Sequence, residues 1–140
     1  MIALWLLACG GDSLDTADSA GSTAPTTPTD PRVLSHDEHI QPVWTANCVE
    51  GGCHEQLEGR VMPLEEGLAW DSLVDRASSQ FPLYDLVEPG KPEGSYLVHK
   101  LRGTHTDVGG MGRQMPTDKE PLSQQDQDLI WSWIDQGALP

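Results

Sequence analysis

Apolar residues recur at helical spacing in four places along the chain. Ile40, Val43 and Trp44 share one side of a helix that Ser35-His36-Asp37-Glu38 opens in the Ser-x-x-Glu form of a capping box. Pro42 either kinks that helix or marks a later start. Leu64, Leu68, Trp70, Leu73 and Val74 give a second short helical stretch between Pro63 and Ala77. Tyr96, Leu97, Val98 and Leu101 make a third, which Ser95 can cap. The fourth is the best defined: Ser123-Gln124-Gln125-Asp126 opens it, Leu129, Ile130, Trp133 and Ile134 form its stripe, and Gly137 ends it.

Turn residues separate these stretches. Glu88-Pro89-Gly90-Lys91-Pro92-Glu93-Gly94 must be a loop, and Thr104 to Pro121 is a second, longer one rich in Gly and Pro. Loops of that length in a compact domain are usually functional. No alternating strand pattern stands out. The expected fold is all-α: three or four helices with long loops, from Val33 to Pro140 (33-140).

The first 32 residues read differently. Met1-Ile2-Ala3-Leu4-Trp5-Leu6-Leu7-Ala8-Cys9 is apolar but far shorter than the roughly 20 residues a membrane span needs. Leu6-Leu7-Ala8-Cys9 resembles a bacterial lipobox, in which the cysteine is acylated, although no Lys or Arg precedes the apolar run. The bland alternative is a short apolar tail with a chance cysteine. Residues 1-9 are therefore expected to be a signal peptide ending at lipidated Cys9. Residues 10-32 are Ser, Thr, Asp, Ala, Gly and Pro with almost no large apolar side chain. Such a segment cannot bury enough to fold and reads as a disordered tether with a reach on the order of 25 Å. The implied location is outside the cytoplasm, in a periplasmic or outer-membrane-anchored lipoprotein.

Composition adds two constraints. Gly and Pro are plentiful, 14 and 11 residues, while aromatics are only 6% of the chain. A core built from these side chains alone is thin, and a buried cofactor would thicken it. The formal net charge is −14, which argues against nucleic acid and against anionic lipid as partners. A basic protein partner is compatible with that charge, and so is simple solubility.

The chemistry sits at Asn47-Cys48-Val49-Glu50-Gly51-Gly52-Cys53-His54. This Cys-x4-Cys-His run is a wider form of the Cys-x-x-Cys-His pattern of covalent c-type haem attachment. Two thiols can add to the two vinyl groups of one haem, while the adjacent histidine reaches the iron. Gly51-Gly52 can take the positive-φ turn that brings the sulfurs together. With Cys9 assigned to lipid, Cys48 and Cys53 remain as a pair in an oxidising compartment. A Cys48–Cys53 disulfide in a haem-free, lipid-anchored interaction module is the main alternative. Zinc held by Cys48, Cys53, His54 and a further histidine is a third, strained by the adjacency of Cys53 and His54. There is no Gly-x-Ser-x-Gly elbow and no phosphate-binding Gly-Lys-Ser/Thr, so neither a serine hydrolase nor a phosphate-loop enzyme is indicated.

Further elements follow in order: Ile40-Gln41-Pro42-Val43, Leu73-Val74, Val87-Glu88-Pro89-Gly90-Lys91-Pro92, Ser95 to Leu101, Met115-Pro116, and Trp133-Ile134-Asp135-Gln136-Gly137-Ala138. Together with the haem motif they resemble the planctomycete-type cytochrome c domain family, from about His36 to Ala138. The departure is the four-residue gap between the cysteines, where the family has two. The resemblance implies one covalent haem c, with cofactor-binding Cys48, Cys53, His54 and Met115, and iron ligands His54 and Met115. A thioether is a neutral, soft ligand suited to haem iron, and His/Met ligation raises the potential. Met111 in the same loop and Met62 are rivals, Met62 reading better as pocket wall. His99 and His105 are more plausible near a haem than His36 and His39, which a regular helix leaves exposed on one side. Arg113, Arg102 and Lys100 are candidates for pairing with haem propionates. Trp44, Trp70 and Trp133 read as core. The expected function is electron transfer with a redox partner protein, and not catalysis; an open sixth position on the iron would instead allow peroxidase-like chemistry.

Overall fold

The computed structural model describes residues 33–50, 53–55, 62–117 and 119–140. The lipobox with Cys9, the tether and the Gly51-Gly52 turn lie outside the described residues. Among the described residues there are four α-helices: α1 (Gln41–Trp44), α2 (Ala69–Leu73), α3 (Tyr96–Arg102) and α4 (Gln124–Asp135). π-helical turns at His36–Ile40 and Thr45–Val49 flank α1, and a 3-10 turn at Pro92–Gly94 precedes α3. Extended pairing among the described residues is confined to three isolated bridges, Val74 with Val87, Ala77 with Asp85, and Asp85 with Ser95. The domain is all-α.

The core gathers Ile40 and Trp44 from the first helical run, Leu73 from α2, Leu97 and Leu101 from α3, and Ile130, Trp133 and Ile134 from α4. Trp44 and Trp133 are fully buried, and Trp70 is half-buried with its indole N–H donated to Ala138 O at 2.8 Å. The two ends of the domain meet. His36 N–H donates to Leu139 O at 2.8 Å, and Trp133 Nε1 donates to the same oxygen at 2.7 Å.

Local sequence explains α3 and α4. Ser123 Oγ accepts from Asp126 N at 3.1 Å and caps α4. Gly137, at φ +105°, lets the chain leave it. Helix α3 ends at Gly103 in the left-handed region, φ +75°.

Four local expectations are corrected. The capping box at Ser35 is not formed; Ser35 N–H donates instead to His39 Nδ1 at 3.2 Å. The first turn is π-helical, so each residue rotates less about the axis and residues three apart no longer share a face. His36 is accordingly buried against Trp133, ring centroids 5.6 Å apart, rather than exposed beside half-buried His39. The helix expected between Pro63 and Ala77 shrinks to α2. Gly67 at φ +77° precedes it, and Val74 turns extended to bridge Val87. Ser95 does not cap α3; its hydroxyl accepts from Glu88 N and donates to Lys91 O, both at 2.9 Å, closing the preceding loop on itself.

Candidate functional site

Cys48 lies in the second π-helical turn, whose C-terminal end is covered by Lys119: its ammonium donates to Asn47 O at 3.4 Å and to Glu50 O at 3.1 Å. The thiol is buried, and burial pushes it up to about 11, with Lys119 opposing and Cys53 adding to the rise. Cys53 is exposed. Both are free thiols, so the Cys48–Cys53 disulfide of the alternative reading is not formed here.

His54 is fixed at three points. Its N–H donates to Cys48 O at 3.2 Å, its carbonyl accepts from Leu64 N at 3.0 Å, and its Nδ1 meets Met62 O at 3.1 Å. A carbonyl only accepts, so Nδ1 carries the proton and the Nε2 lone pair is left for a ligand. Met62 can turn its carbonyl this way because it sits at φ +70°. Gln41 holds the same strand of chain from beneath, donating to Leu64 O at 3.0 Å.

These residues border a cavity of about 690 Å³. Trp44 and Cys48 form one wall, His54, Met62 and Leu64 another, and Leu97, Lys100 and Leu101 of α3 a third. Met115 closes it. Its N–H donates to Lys100 O at 2.9 Å, and its sulfur accepts from Thr117 Oγ1 at 3.2 Å. The Met115–Pro116 peptide is cis. Cys48, His54 and Met115 thus border one space, although Met115 is 61 residues beyond His54 in sequence. Cys53 is not among the bordering residues.

Of the rival ligands, Met62 is part of the cavity wall and the others lie elsewhere. Met111 is 64% exposed and outside the cavity. Both ring nitrogens of His99 are engaged, Nδ1 with Thr104 Oγ1 at 2.9 Å and Nε2 with Glu93 O at 3.1 Å. His105 is buried away from the cavity and donates from Nε2 to Gly112 O at 3.0 Å. No group of three or more His, Cys, Asp or Glu side chains among the described residues is arranged to hold a metal ion.

Of the cations expected near a ligand's carboxylates, only Lys100 borders the cavity. Arg102 instead lies 4.2 Å above the Trp131 ring, and Arg113 is outside the lining. Arg76 does border the cavity and was missed in the sequence. Nothing local marks it, because the bridge of Val74 to Val87 is what turns the following segment inward. Trp44 is a further surprise. Its indole Nε1 is buried in the cavity wall with no hydrogen-bond partner among the described residues.

No protein-family model matches the sequence, and no curated protein matches it. The fold is similar to part of a solved structure titled Kuenenia stuttgartiensis hydrazine synthase, with a TM-score of 0.53 at 23% identity. The match covers 75% of this chain and 16% of that one, and the likeness is one of fold. No helix among the described residues is long and apolar enough to cross a membrane.

Proposed function

We propose that this chain is a c-type cytochrome domain of the planctomycete-type family, carrying one covalent haem c and serving as an electron carrier. The observation that carries this reading is the convergence of Cys48, His54 and Met115 on one cavity, with His54 Nδ1 tied to a carbonyl. That tie is how iron-binding histidines are oriented, the other nitrogen being presented to the metal. The remaining residues fit the group as well. The walls are mainly apolar, the size suits a cofactor, and Trp44 Nε1 is a buried donor in the wall.

Cys48 and Cys53 would hold the haem as thioethers, and His54 and Met115 would bind its iron. When bound, the haem supplies a one-electron couple between ferrous and ferric iron. The protein's part is to hold the ring, exclude water through Leu64, Leu97 and Leu101, and set the potential through the thioether. No substrate is transformed. The redox partner is a protein, and the −14 charge suits a basic one docking through a small, transient interface. Lipidation at Cys9 and a tether over residues 10–32 would keep the carrier at a membrane outside the cytoplasm.

The test is a reduced-minus-oxidised visible spectrum of the chain exported in a haem-attaching host, taken after acid–acetone extraction. Sharp reduced α and Soret bands that survive extraction are expected. A colourless chain whose Cys48 and Cys53 are joined by a disulfide would replace this reading with a lipid-anchored interaction module.

A further inference from the structure

One cation in the cavity is in an unusual state. Lys100 is only 6% exposed, yet the hydrogen bond of its ammonium is to a neutral carbonyl, Met111 O, at a long 3.3 Å. No carboxylate among the described residues forms an ion pair with it, and burial alone holds its basicity below the ordinary lysine range. A buried charge ordinarily comes with a counter-charge, because the desolvation penalty is otherwise uncompensated. Among the described residues none is provided.

The surroundings are polar and open. A Cβ placed at Gly112 would lie 3.2 Å from Lys100 Nζ and 3.3 Å from both amide atoms of Gln80, so ammonium and amide are neighbours. Gly112, at φ +87°, leaves that space clear. Gln80 belongs to a segment that also brings Arg76, Ser78 and Ser79 to the cavity. Arg76 is oriented by the bond from its Nε to Asp71 O at 2.9 Å. The cavity therefore combines broad apolar walls with a cluster of donors that includes two cations.

We propose that Lys100, with Gln80 beside it and Arg76 on the same lining, is a carboxylate-binding subsite that receives the acid groups of a flat, apolar dicarboxylate lying in the cavity. This rests on the haem reading above, for which the acid groups would be the propionates, and goes beyond it by assigning which end of the cavity takes them. A neutral ligand of the same shape gains nothing from Lys100, so discrimination between acid and ester is its signature.

The experiment uses the full chain without haem, titrated with metal-free protoporphyrin IX and with its dimethyl ester. Binding is followed by quenching of tryptophan fluorescence. Without iron, neither His54 nor Met115 contributes a metal bond to the comparison. The diacid should bind at least about tenfold more tightly than the ester. Lys100→Met should abolish that preference, and Lys100→Arg should keep most of it. Circular dichroism confirms that each variant is folded, and Lys100→Gln replaces Lys100→Met if the latter is not. Equal affinity for acid and ester in the unaltered chain would overturn the subsite and leave the cavity reading intact, as would a preference that survives both neutral substitutions. Failure of the unaltered chain to bind either porphyrin would overturn both.

Discussion

His54 is held through its N–H, its carbonyl and its Nδ1 by Cys48, Leu64 and Met62. The two cysteines beside it are not equivalent. Cys48 is buried with its thiol pushed up to about 11, so almost none is thiolate at neutral pH, whereas Cys53 is exposed. In the haem-free chain, iodoacetamide at pH 7.5 should label Cys53 first and Cys48 at least about tenfold more slowly; mass spectrometry of the digested protein reads the order, and equal rates would refute it. Replacing Met115 by Ala in the haem-loaded protein should lower the midpoint potential and let cyanide bind the iron, since the thioether favours the ferrous state. An unchanged spectrum and potential would move the sixth ligand elsewhere. His36 makes a separate prediction. Burial holds its ring below the ordinary 6.5, its Asp37 hydrogen bond opposing, so the unfolded chain takes up a proton that the folded chain refuses. Its contribution to stability is complete above 6.5 and is lost as the pH falls through 6.5 towards the folded value. The Tm should be lower at pH 5.5 than at pH 7.5, and the difference should shrink in His36→Asn.

Among the elements, α4 was readable in advance because its signals are local: a serine whose hydroxyl bonds the third amide, a 3.6-residue stripe, and a terminal glycine. The first helical run was readable only in outline. Whether it winds with α or π hydrogen bonds depends on Pro42, which lacks an amide hydrogen, and on packing against α4. The loop after α3 is fastened by Tyr96, whose hydroxyl accepts from Met111 N and donates to Met111 O, both at 3.2 Å. A Cβ at Gly110 would run into the Tyr96 ring and lie 2.8 Å from His105 O. Backbone on one side and a hydrogen-bonded ring on the other leave no easy relief. Gly110→Ala should destabilise the protein by about 1–3 kcal/mol in urea unfolding. The same change should disturb Met115, because the loop that Tyr96 holds is the one that carries it.

For the whole molecule, the cavity is the dominant fact. A space of about 690 Å³ bounded by Trp44, Leu64, Leu97 and Leu101 deprives those side chains of packing partners on one face. Filling it with a flat apolar cofactor should raise the Tm of the loaded protein over the haem-free chain by at least about 10 °C, several kcal/mol for a domain of this size. Calorimetry of the two forms measures the difference, and equal melting temperatures would mean that the cavity is not where the cofactor sits. Closure of the domain is also a property of the whole. His36 and Trp133 both donate to Leu139 O, so the first and last helical elements are stitched together by one carbonyl.

The sequence by itself determined the helical class, the last helix with both its ends, and a pair of thiols with a histidine beside the second. Each of these depends on neighbours within a few residues, where hydrogen-bond geometry and helical period are set by the chain's own chemistry. Only the tertiary structure decided that Met115 rather than Met111 borders the same space as His54, that Arg76 and Lys100 reach it while Arg102 and Arg113 do not, and that His36 is buried. Those outcomes depend on how α3, α4 and the loops between them pack across tens of residues, and no local pattern encodes which side of a loop or helix a distant neighbour will cover.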